Sequence, residues 1–172
     1  MASKTYLFRP EKKFFKQGSI LLDENKEIVY QAKMLKWTLF RPYKFEFVNN
    51  ITKASEEHMV GHTVTSQLTS GDFTDAFSVK SAFKYDGKNI WDYLHELGIR
   101  IETHMSGKGL GLTYIVTLKG KPFATIATAN ANGKQGLITT NACLNVTCEE
   151  EDLALAFLVA FSIARTVHGI YD

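Results

Sequence analysis

The stretch LALAFLVAFSIA, residues 153–164, is apolar at every position except Ser162. Helix signals bracket it. Thr147 followed three residues later by Glu150 has the spacing of a capping box. Glu149, Glu150, Glu151 and Asp152 crowd the first turn, where the helix dipole favours negative charge. Arg165 and His168 fall in the last turn, and Gly169 suits the position just past the end. The segment predicts a helix that is greasy on every side. Its twelve residues span about 18 Å at 1.5 Å per residue, whereas a bilayer core asks for about 20 residues. An interfacial helix needs a polar face, and this run has none before Arg165. A helix that is apolar all round belongs inside the protein. One packed on a single face of an open sheet would be amphipathic, so enclosure is expected.

The enclosing material reads as strands. SILLD and EIVYQAK flank the polar turn DENK, and MLKWTLF and YKFEFV flank RP. In the second pair Leu35, Trp37 and Leu39 alternate with Lys36 and Thr38, and Tyr43, Phe45 and Phe47 alternate with Lys44 and Glu46. That period of two marks half-buried strands joined as hairpins. HMVGHTVT and IRIETHM read as further strands, and TSGDFTDAFSVK is ambiguous. Residues 111–146 read as a meander with turns at KGKP and NANGK, where Asn132-Gly133 is a strong turn signal. One short helix is expected near 89–98, capped by Asn89, stopped by Gly98, with Ile90, Leu94 and Leu97 on one face. No linker or repeat divides the chain, so residues 1–172 read as a single domain.

Geometry bounds the strand count. A barrel of about eight strands is filled by its own side chains, and a helix with side chains is about 10 Å across. The expected fold is therefore mainly β: a closed antiparallel barrel of about 11–12 strands around the C-terminal helix. Leu153, Phe157 and Phe161 supply bulk to that core. Ala156, Ala160 and Ala164 form an i, i+4 row where the barrel wall approaches.

Composition fits a globular chain with a bulky core: 45% hydrophobic and 22% charged, with twelve Phe among 172 residues. Net charge is +2, unevenly spread. Residues 1–53 carry 11 Lys and Arg against 5 Asp and Glu, and the remainder is net acidic. A basic third of a chain points to an anionic partner. Lys33, Lys36, Arg41 and Lys44 are the candidates, because strand alternation turns Lys36 and Lys44 outward with Arg41 at the turn between them. Two cysteines, Cys143 and Cys148, make no CxxC or Cys/His cluster. MASKTYLFRPEKKFF has no continuous apolar core of the secretory kind, so a cytoplasmic protein with reduced thiols is expected.

Catalytic and cofactor chemistry finds no foothold. SGKGLG, residues 106–111, lacks the full phosphate-loop pattern and leads into a strand instead of a helix. His58 and His62 lack the intervening Glu of the zinc-protease motif and sit about 13 Å apart on a strand at 3.3 Å per residue. No metal or cofactor is expected, and no nucleophile–base set can be assembled. The aromatics occupy inward positions, so no nucleic-acid surface is expected either.

LLDENKEIVYQAK, VTLKGKPFATI and EEEDLALAFLVAFSIA, in that order, resemble the tubby C-terminal-like superfamily. That group spans tubby-like proteins, phospholipid scramblases and LURP-one-related proteins. The resemblance implies a barrel threaded by a C-terminal helix and a non-enzymatic role at anionic lipid headgroups, phosphoinositides among them. A scramblase-like lipid transporter and an intracellular protein-interaction scaffold are the alternatives. DENK lacks the Gly common in the family's early turn, and the scramblases' proline-rich extension and Cys cluster are missing. CEEED lacks calcium-loop spacing. The family's phosphoinositide-binding basic residues have no one-to-one match here, so no binding residue is carried over.

Overall fold

A computed structural model describes residues 2–13, 16–36, 43–62, 83–105, 111–129 and 143–166. The strands are β1 (Lys4–Lys13), β2 (Lys16–Leu22), β3 (Ile28–Lys36), β4 (Tyr43–Asn49), β5 (Ser55–His62), β6 (Phe83–Tyr85), β7 (Lys88–Asn89), β8 (Ile99–Met105), β9 (Leu112–Leu118), β10 (Lys121–Ala129) and β11 (Cys143–Cys148). Helix α1 covers Ile90–Glu96 and α2 covers Leu153–Thr166. The strands form one antiparallel sheet in the order β7-β6-β5-β4-β3-β2-β1-β11-β10-β9-β8. Consecutive strands are neighbours except β7 and β8, which end the order on opposite sides, and the pairing of β1 with β11 joins the first half of the chain to the second.

The terminal helix is enclosed, as its composition demands. Every residue from Ala156 to Arg165 is buried. The Phe157 ring meets Phe8 of β1, Tyr30 of β3 and Phe47 of β4, and Phe161 meets Phe45 and Phe47. The helix backbone comes close to β3, β10 and β11, and the fully buried Ala156, Ala160 and Ala164 add little bulk between helix and wall. Strands from both halves of the sheet therefore touch one helix, which requires the sheet to curl around it. Ser162, the one polar interruption, is silenced by donating from Oγ to the Leu158 carbonyl at 2.7 Å, the usual way a helix absorbs a buried hydroxyl.

The expected closed barrel is corrected in one respect. The hydrogen-bonded order ends at β7 on one side and β8 on the other, so the described sheet is not closed by hydrogen bonds. The chain passes from β7 through α1 straight into β8, so no hairpin turn sets these two strands side by side, and α1 comes close to β6, β7 and β8. Ile90 and Leu94 are buried there as expected, but Leu97 is exposed. Leu97 sits at the C-terminal cap, beyond the face that meets the core. Gly98 follows at φ +94°, where an added Cβ would lie 2.7 Å from Lys119 Cγ. Glycine alone takes that conformation without strain.

The start of α1 is fixed by Asn89, whose Oδ1 accepts from the backbone N–H groups of Trp91 and Asp92 at 2.9 and 3.2 Å. Losing such a cap costs about 1 kcal/mol. Asn89→Ala is expected to lower the unfolding free energy by that amount, read as a lower urea midpoint with an unchanged m-value. An unchanged midpoint would mean the cap adds nothing to stability.

Two other local expectations are overturned. The capping box of Thr147 and Glu150 does not form. Thr147 lies inside β11, laddered between Thr5 and Thr125, and its Oγ1 shares a 2.8 Å hydrogen bond with Thr5 Oγ1. The strand runs on to Cys148, and a short 3₁₀ turn, Glu150–Asp152, leads into α2 without a side-chain cap. Glu150 instead meets Lys4 Nζ at 3.2 Å. In β3, Leu35 is exposed and Met34 is buried. The register slips between Met34 and Lys36, which pair with Phe45 and Lys44, and a bulge of that kind re-aims side chains. Trp37, Leu39, Arg41, His168 and Gly169 lie outside the described residues, as do TSGDFTDAFSVK and all of SGKGLG except Gly111.

Candidate functional site

Register gathers lysines at one end of the sheet. The end of β1, the start of β2, the end of β3 and the start of β4 lie together because the four strands are a meander. Lys13 pairs with Lys16, Lys12 with Gln17, Gly18 with Lys33, and Lys36 with Lys44. Three of the four sequence candidates, Lys33, Lys36 and Lys44, are thereby neighbours, and Arg41 lies outside the described residues. Lys12, Lys13 and Lys16 were missed from sequence. Their signal is EKKFFK, residues 11–16, which reads as a lysine-flanked hairpin tip once β1 is recognised as a strand.

Carboxylates temper the inner part of this group. One cross-strand row runs Glu11, Gly18, Lys33, Glu46 and Glu57. Lys44 Nζ sits 2.7 Å from Glu57 Oε2, with both side chains about half exposed (50% and 53%), and Arg9 lies 3.7 Å from Glu11. Exposed pairs of this kind contribute about 0–1 kcal/mol, so an arriving anion displaces them at little cost. The register places Lys12, Lys13, Lys16 and Lys36 at the tip. Beside them opens a groove of ≈ 350 Å³ lined by Glu11, Gln17, Gly18, Ile20, Lys33 and Leu35. The opposite end of the sheet has the reverse character. A cleft of ≈ 470 Å³ there is lined by Asp23, Glu24, Glu27 and Glu150 against one cation, Lys4, a net acidic lining.

The remaining titratable clusters read as structural. His58 Nδ1 lies 2.6 Å from Asp86 Oδ2 and its Nε2 3.1 Å from Glu56 Oε2. Asp86 Oδ1 accepts from the Met59 N–H at 2.8 Å, and the imidazole stacks on Tyr85 at 4.6 Å. This ties β5 to the turn after β6 and presents no nucleophile. The Tyr85 hydroxyl is pushed far above the ordinary tyrosine range by burial, then by the Asp86 charge. Cys143 and Cys148 are buried and unbridged. Burial, then Asp152 and Glu149, push the Cys148 thiol up to about 12, and burial raises Cys143 against the opposing pull of Arg9. Neither supplies thiolate at neutral pH. Among the described residues no group of His, Cys, Asp and Glu is arranged to hold a metal ion, and no helix is long and apolar enough to cross a membrane.

No protein-family model, curated protein or solved structure matches the chain. The resemblance to the tubby C-terminal-like superfamily accordingly rests on its three sequence motifs alone.

Proposed function

We propose that the chain is a non-enzymatic binding module that holds anionic lipid headgroups, or the phosphate groups they carry, at a cytoplasmic membrane surface. The observation behind this reading is the register that brings Lys12, Lys13, Lys16, Lys33, Lys36 and Lys44 to one end of four adjacent strands. In this reading the sheet acts as a barrel whose seam is stopped by α1, a rigid wall that keeps the lysines of four strands in fixed relation. Each lysine near an anionic surface contributes about 1 kcal/mol. The four at the tip would together give about 4 kcal/mol, close to a thousandfold enrichment.

Flotation with vesicles of phosphatidylserine and phosphatidylcholine tests this. The chain is expected to float at low salt, to stay behind with phosphatidylcholine alone, and to lose binding as salt screens the surface. Lys13→Glu with Lys16→Glu is expected to cut affinity by more than tenfold, and Glu57→Gln, which frees Lys44, to raise it. No flotation at low salt, or binding unchanged in high salt, overturns the reading. Soluble inositol phosphates as competitors separate a headgroup reader from a surface that needs the bilayer.

A further inference from the structure

The two ends of the sheet differ. β7 is two residues long and runs into α1, whereas β8 offers seven residues. The Lys119 N–H donates to the Gly98 carbonyl at 2.9 Å, and the β8–β9 register holds without a slip from Ile99–Leu118 to Met105–Leu112. In an antiparallel ladder, hydrogen-bonded pairs alternate. Arg100, Glu102 and His104 therefore bond inward to β9, and Ile99, Ile101, Thr103 and Met105 aim their backbone groups at the outer edge of the described sheet. Near α1 this edge is already stopped: Arg100 Nη1 donates to the Ile99 carbonyl at 2.9 Å and to that of His95 at 3.4 Å. Among the described residues, the outward backbone groups of Ile101, Thr103 and Met105 face no neighbouring strand.

Those residues lack the devices that guard sheet edges, namely lysine, proline or a bulge. Thr103, His104 and Met105 are exposed, Met105 at 68%. We propose that the β8 edge pairs antiparallel with the β8 edge of a second copy, centred on Thr103. That register sets Thr103 against Thr103 of the other copy and Ile101 against Met105, with Glu102 opposite His104 on both sides. It covers the exposed methionine and faces each Glu102 with the His104 ring of the other copy, a partner Glu102 already meets at 3.5 Å on its own strand. The neighbouring self-pairing centred on Glu102 sets carboxylate against carboxylate. The one centred on Ile101 needs the Ile99 carbonyl that Arg100 already occupies. Self-complementarity at a single register is what a two-fold interface requires.

Light scattering coupled to size exclusion, over a wide concentration range, tests this with the full chain. A concentration-dependent dimer is expected. Thr103→Pro, which removes an edge N–H, is expected to give a monomer with an unchanged circular dichroism spectrum. His104→Glu is expected to weaken the dimer about tenfold by facing two carboxylate pairs. Thr103→Cys is expected to link the dimer on diamide oxidation, since paired Cα atoms lie about 5.5 Å apart, within disulfide reach. Cys143 and Cys148 are buried and do not compete. A monomer at every concentration overturns the proposal, and so does a dimer that Thr103→Cys fails to link. Where the proline variant does not fold, the cross-link decides alone.

Discussion

Ala160→Asp is expected to abolish folding. Ala160 is fully buried at the middle of α2. Its neighbours one turn away along the helix are Ala156, Phe157, Ile163 and Ala164, every one of them apolar and buried. Arg165, the nearest cation along the helix, lies over the rings of Phe45 and Phe161 at 5.5 and 5.3 Å. Five residues on, it projects from a different side of the helix. A carboxylate at 160 therefore lacks the paired cation that makes a buried charge tolerable. The effective penalty for such an ion is several kcal/mol, against a total stability of about 5–15 kcal/mol for a domain. Ala154→Asp is the matched control. Position 154 is exposed in the first turn of the same helix, where negative charge is favoured, so its stability should stay within about 0.5 kcal/mol of the parent. Near-ultraviolet circular dichroism and urea unfolding read both variants. A soluble, cooperatively unfolding Ala160→Asp protein would show that the helix is not enclosed.

The helix was legible because its message is local. Length and the absence of a polar face are properties of adjacent residues, whereas the acids expected in its first turn lie before it, in the 3₁₀ turn. The β4 stripe was legible for the same reason: Phe45 and Phe47 are buried, and Tyr43 packs against the core. What failed depended on partners far along the chain. Leu35 reads as inward by alternation, yet a bulge set by the pairing with β4 turns it out. Thr147 reads as a cap, yet its ladders to Thr5 and Thr125 extend β11 past it. β1 was not read as a strand at all, although its register to β2 runs unbroken from Leu7 to Lys13, through Pro10. The ends of the sheet were least legible of all. Nothing in KNIWDYLHELGIR states that the strands flanking its helix end the described sheet on opposite sides.

The candidate site divides in the same way. Lys36 and Lys44 come from one hairpin, so their neighbourhood follows from a short stretch of chain. Glu57, which holds Lys44, arrives from β5, and the adjacency of Lys12, Lys13 and Lys16 to Lys33 requires β1, β2 and β3 in register. Charge counting found the basic third of the chain. Register is needed to see that its lysines gather at the hairpin tips and that Lys33 and Lys44 face Glu46 and Glu57.

Phe157→Ala is the second large effect, expected to cost about 3–5 kcal/mol, the range for deleting a fully buried phenylalanine. Phe157 is fully buried, with its ring centroid 4.6 Å from Tyr30, 5.4 Å from Phe8, and 6.2 Å from both Phe47 and Phe161. Those partners sit on β1, β3, β4 and α2, so one ring joins the helix to three strands. Part of the loss is transfer free energy and part is the cavity left among side chains that three strands hold apart, which limits collapse. Phe157→Leu keeps most of the volume and is expected to cost less than half as much. The urea midpoint should fall while the m-value stays constant, since the surface exposed on unfolding is little changed. A cost below about 1 kcal/mol would fall in the range of ordinary substitutions and would mean that Phe157 is not where helix and sheet lock together. A lower m-value would mean that the helix detaches before the sheet unfolds, making the core two units instead of one. Because the ring lies inside the fold, the protein that remains folded should float with anionic vesicles as the parent does. That result would separate the residue that holds the sheet in shape from the lysines proposed to use it.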